Sequence, residues 1–76
     1  MGTMRILDQS GDTTVAWSID DPASVAQADQ LFARLSAERK IPFARSAGTP
    51  AADAERIRAF DPTAEEIVWV RPVAGG

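Results

Sequence analysis

The groups able to do chemistry in this 76-residue chain are few, and the most distinctive stand at its end. Arg71-Pro72-Val73-Ala74-Gly75-Gly76 closes on two residues without side chains, so the Gly76 carboxylate is carried on bare backbone. Such a terminus can thread a narrow channel and approach an electrophile closely. Lys40 is the only lysine and therefore the only side-chain amine. It reads either as a linkage point between copies of the chain or as a solvated charge at the negative end of a helix dipole. Asp20-Asp21 and Glu65-Glu66 are paired carboxylates. The first pair suits a turn and a helix cap, and the second a solvated turn or an acidic contact beside the tail for a basic partner surface. Paired carboxylates without a cleft do not make a hydrolase, and so short a chain has little room for one. With no cysteine and no histidine, thiol chemistry, imidazole bases and zinc fingers are excluded. The expectation is a protein that is not itself an enzyme and has no metal site and no bound cofactor.

The elements that position these groups follow from composition and pattern. Seventy-six residues support one modest core and a single domain; 45% apolar and 25% charged residues are the balance of a folded globular chain. The net charge of −3 is spread without a basic run, which leaves a nucleic-acid role without an electrostatic footprint. Apolar stretches such as Ile67 to Val70 are far shorter than a membrane span, and the N-terminus lacks the features of a signal peptide. A cytoplasmic protein, monomeric when free and with no membrane partner, is expected. Met1 to Thr3 reads as a flexible N-terminus or cloning remnant, residues 4–71 as the domain, and residues 72–76 as a flexible tail.

Within the domain, Met4 to Asp8 and Thr13 to Ile19 predict a hairpin turning at Gln9-Ser10-Gly11-Asp12. The alternation places Thr13, Val15, Trp17 and Ile19 on one face. Asp21-Pro22 predicts a helix start. Val25, Ala28, Leu31, Phe32 and Leu35 then form one apolar stripe, and Pro42 sets the stop around Arg39-Lys40. Ile41 to Arg45 reads as a short strand, with Pro42 pointing to an edge position or a strand start. Ser46 to Asp53 reads as a loop, and the stretch that follows as either a brief strand at Arg56-Ile57-Arg58, which we favour, or part of a short helix opened by Thr49-Pro50 and ending near Phe60. After the turn Asp61-Pro62-Thr63-Ala64, the run Ile67-Val68-Trp69-Val70-Arg71 is bulky on both faces and predicts a central strand beside the first. One amphipathic helix and one sheet make an α+β domain in which the sheet wraps across the helix.

That order, ββαβ(β)β with a closing Gly-Gly, resembles the β-grasp fold of ubiquitin and of the sulfur carriers of thiamin and molybdopterin synthesis. Glu66-Ile67-Val68-Trp69-Val70-Arg71-Pro72-Val73-Ala74-Gly75-Gly76 is similar to the molybdopterin-type carrier ending. It departs from it at Ala64-Glu65, where those carriers have a glycine-aspartate turn, and at Arg71, where they have a proline. Phe60-Asp61-Pro62 and Ala64-Glu65-Glu66-Ile67 also resemble bacterial ubiquitin-like proteins. The resemblance implies a protein modifier whose Gly76 carboxylate is adenylated by a partner enzyme using ATP and magnesium. It would then pass to a protein target through a conjugating enzyme, with a deconjugating protease reversing the step. The alternatives are a sulfur carrier with a Gly76 thiocarboxylate and a non-covalent structural or interaction module. Arg71, Pro72, Val73 and Ala74 are the expected partner contacts beside Gly75 and Gly76. Ile67, Trp69 and Trp17 are a candidate exposed apolar patch, with the Val68/Val70 face as the alternative surface.

Overall fold

The computed structural model describes residues 1–8 and 11–71. Five strands and one helix follow in the order β1 (Gly2–Asp8), β2 (Gly11–Trp17), α1 (Pro22–Ala37), β3 (Ile41–Arg45), β4 (Glu55–Arg56) and β5 (Glu66–Val70). The strands form one mixed sheet in the order β2-β1-β5-β3-β4, with β1 antiparallel to β2 and parallel to β5, and β3 antiparallel to both β5 and β4. The bulky run Ile67 to Val70 therefore occupies the middle of the sheet, as its two-sided apolar pattern demands. One helix on one face of a five-stranded mixed sheet is an α+β architecture compatible with a β-grasp-like fold.

Strand β1 starts two residues earlier than the pattern from Met4 predicts. Gly2 faces Trp17 and Thr3 faces Ala16 across the hairpin, and Gly2 is buried. Gly2 and Thr3 are thus strand residues of the sheet, while Met1 precedes the strand and is exposed. A Cβ on Gly2 would strike the Trp17 ring and approach the Ala64 carbonyl to 2.8 Å, so this position needs glycine for close approach. Strand β2 ends at Trp17, short of Ile19, because the chain there is drawn to the helix start. The Ser18 N–H donates to Ser24 Oγ at 2.9 Å, and its carbonyl accepts from the Asp21 N–H at 2.9 Å. Ile19 leaves the core face and is 58% exposed.

Asp21 caps α1 as the sequence predicts: it is extended, and its carboxylate accepts from the Ala23 and Ser24 N–H groups with Pro22 in the first turn. Ala28, Phe32 and Leu35 are buried, while Val25 and Leu31 pack at the margin. The helix stops at Ala37, before the predicted Arg39-Lys40. Lys40 N–H donates to the Leu35 carbonyl at 3.2 Å and Arg39 N–H to that of Ser36 at 3.0 Å. This paired closure needs a left-handed residue at its turn, and Arg39 supplies it at φ 66°.

Pro42 sits in β3 between two neighbours without cost to the central ladder. Its carbonyl accepts from the Ile57 N–H at 3.2 Å on the β4 side. In an antiparallel strand a residue's N–H and C=O point the same way, so the missing donor also lies there and not towards β5. The favoured strand forms as the two-residue β4, and of the alternative helix reaching towards Phe60 there is only one turn of 3₁₀ helix at Ala51–Asp53. The strand is one step earlier than Arg56-Ile57-Arg58. The Asp61 turn is closed by its own carboxylate, which accepts from the Thr63 N–H at 2.9 Å and from Thr63 Oγ1 at 2.6 Å.

The core lies between α1 and the sheet and consists of Met4, Ile6, Trp17, Ala28, Phe32, Leu35, Ala64, Ile67 and Trp69. Phe32 meets Trp69 edge-on with ring centres 4.8 Å apart, and Trp17 meets Phe60 likewise at 5.1 Å. No helix among the described residues is long and apolar enough to cross a membrane.

Candidate functional site

The face of the sheet turned away from α1 carries no helix among the described residues. Side chains alternate along β5. With Ile67 and Trp69 turned to the helix, Glu66, Val68 and Val70 point to the open side. Register then fixes their neighbours. Arg5, Val68, Phe43 and Arg56 form one row across four strands, Thr3, Glu66 and Arg45 a second, and Val70 with Ile41 a third. Val68, Val70, Ile41 and Phe43 are all half-buried, a cluster of apolar side chains with no second layer above it among the described residues.

Charged groups border this cluster. Arg45 Nη1 lies 3.1 Å from Glu65 Oε2, and its Nε lies 3.6 Å from Glu66 Oε1. Arg5 Nη2 lies 3.0 Å from Asp12 Oδ2 on the hairpin side. A shallow cavity of about 270 Å³ opens between Phe43, Val68, Arg45, Glu66 and Ala54. The arrangement is an apolar centre with a polar rim, the anatomy of a protein-binding surface. The Glu65-Glu66 pair is thus engaged with Arg45 rather than left as a free acidic patch.

The predicted patch of Ile67, Trp69 and Trp17 is not exposed. Ile67 and Trp69 are 0% accessible and Trp17 is 1%. A single helix covers one face only, and the register that pairs Met4 with Ile67 and Ile6 with Trp69 puts these bulky residues on the covered side. The Val68/Val70 face, the alternative reading, is the open one. Arg71 follows β5 directly and is exposed. Pro72, Val73, Ala74, Gly75 and Gly76 lie outside the described residues.

Lys40 is held beside the end of α1, its Nζ 2.8 Å from Glu38 Oε1 and its side chain only 17% exposed. Among the described residues no group of three or more His, Cys, Asp or Glu is placed to hold a metal ion. Comparison with family models, with curated proteins and with solved structures gives no match.

Proposed function

We propose that the chain is a β-grasp, ubiquitin-like protein modifier activated at Gly76 by a partner adenylating enzyme. The observation that carries the reading is the placement of β5. The central strand ends at Val70, the chain leaves it at exposed Arg71, and the departure point adjoins the open apolar cluster of Val70 and Ile41. An enzyme that grips Val68, Val70 and Phe43 would therefore stand next to the start of the segment leading to Gly75-Gly76.

The chemistry belongs to that enzyme. A Gly76 carboxylate oxygen attacks the α-phosphorus of ATP and pyrophosphate departs, leaving an acyl adenylate. A thiol of the partner then displaces AMP to form a thioester, and an amine of the target displaces the thiol. Bare backbone at Gly75 and Gly76 suits passage through the narrow approach such a site requires. On the same scaffold a sulfur carrier would exchange AMP for sulfur and end as a thiocarboxylate; the Gly-Gly ending after an apolar strand supports that alternative.

Incubation with an adenylating enzyme encoded beside the gene, ATP and either a sulfide donor or a protein target tests the proposal. Pyrophosphate release that depends on Gly76, followed by a covalent adduct on the target, is the expected result. A sulfur-for-oxygen mass gain at Gly76 without an adduct selects the carrier. Normal function of a chain lacking Gly75-Gly76 would instead favour a non-covalent interaction module.

A further inference from the structure

At the far edge of the sheet, where the end of α1 meets the start of β3 and the segment after β4, a groove of about 480 Å³ gathers four of the chain's eight basic residues. Arg39, Lys40, Arg56 and Arg58 line it, and no Asp or Glu does. Lys40 is neutralised by Glu38. Arg39, Arg56 and Arg58 enter no ion pair among the described residues, whose pairs use Arg5, Arg34, Lys40 and Arg45. Three arginines outside any ion pair among the described residues thus line one concavity with no Asp or Glu in its lining, on a chain whose net charge is −3. Like charges gathered in this way repel one another and are best satisfied by an anion held between them.

A second observation concerns how Arg39 is held. It takes φ 66° at the turn that closes α1, a left-handed position where glycine is the unstrained choice. The arginine costs backbone energy there and contributes its charge to the groove. The floor is apolar, made by Ile41, Pro42 and Ile57, so the site suits a ligand that pairs carboxylates with an apolar side chain.

We infer that this groove binds a short acidic segment of a partner protein, two or more carboxylates flanking one apolar residue. A short segment fits better than a nucleic-acid strand, because a long polyanion would run beyond the groove onto a net-negative molecule. The groove meets the open sheet face at Ile41 and Arg56 but does not include Phe43, Val68 or Val70, and the peptide assay does not involve the Gly76 carboxylate, so its failure leaves the reading of the tail untouched, and the converse also holds.

The test is fluorescence anisotropy of the full chain against a labelled peptide, Gly-Ser-Asp-Asp-Leu-Glu-Asp-Gly-Ser, with its Asn/Gln counterpart and single-stranded oligothymidine as competitors. The acidic peptide is expected to bind, to weaken as salt rises, and to lose about tenfold in affinity, about 1.4 kcal/mol, in the Arg56→Ala/Arg58→Ala double variant. Arg34→Ala, which removes an exposed arginine outside the groove, is expected to bind as the parent does. Arg39→Gly is expected to weaken binding while keeping or raising the thermal midpoint, which separates loss of the site from loss of the fold. Equal affinity for the acidic peptide and its amide counterpart, undiminished binding by the double variant, or tighter binding of oligothymidine than of the peptide would each overturn the inference.

Discussion

Trp17 and Trp69 offer a matched pair for testing how polar burial is balanced in this core. Both are essentially inaccessible, and both make an edge-on contact with a phenylalanine. They differ at the indole nitrogen. Trp17 Nε1 donates to the Pro62 carbonyl at 3.0 Å, while Trp69 Nε1 is buried with no protein acceptor among the described residues. Phenylalanine at either site removes part of a buried ring, a loss on the order of 1–2 kcal/mol from area and cavity together. At Trp17 the lost hydrogen bond adds about 1 kcal/mol, for a total of about 2–3 kcal/mol. At Trp69 the change also removes an unsatisfied donor, whose desolvation costs about 1–3 kcal/mol, so the net effect falls near zero. The two variants should therefore differ by about 2 kcal/mol, or on the order of 10 °C in Tm for a domain of this size. Urea unfolding measures this directly, because each variant keeps one tryptophan as its fluorescent reporter. A Trp69→Phe variant as destabilised as Trp17→Phe would refute the reasoning.

Gly2→Ala should destabilise by about 1–3 kcal/mol, the range for overpacking, since the new methyl meets the Trp17 ring and the Ala64 carbonyl; thermal unfolding reads it. Asp21→Ala should cost about 1 kcal/mol through loss of the α1 cap, visible as a lower urea midpoint with an unchanged slope. Val68→Ser, on the open face, should leave stability within about 1 kcal/mol of the parent while reducing productive encounter with the proposed adenylating enzyme. A steady-state pyrophosphate assay would show this as a raised KM for the chain, and an unchanged KM would remove the open face from the account.

How much was legible in the sequence depended on whether a local rule had a local cause. Asp21-Pro22 identifies the start of α1 because capping uses neighbouring atoms, and the middle position of β5 follows from bulky residues on both its faces. Which face of β5 is covered does not follow, because Ile67 and Trp69 are no more apolar in pattern than Val68 and Val70. Only the pairing with Met4 and Ile6 decides it. The helix stop was misplaced because its closing turn uses Arg39 rather than glycine. Gly2 looked dispensable because its partner, the Trp17 ring, is fifteen residues along the chain. The basic groove was hidden for the same reason. Arg39-Lys40 and Arg56-Ile57-Arg58 are unremarkable pairs in sequence, and pairing of β4 with β3 brings them to one concavity.

The central claim concerns the Gly76 carboxylate. The most direct measurement is recovery of an N-terminally tagged chain from its own cells under denaturing conditions, beside a Gly76→Ala variant, with mass spectrometry of the last residues. The account predicts a fraction of the parent joined through the Gly76 carbonyl to an amine of another protein, and none in the variant. A terminus found only as the free carboxylate, in cells where the chain is abundant and active, would contradict it.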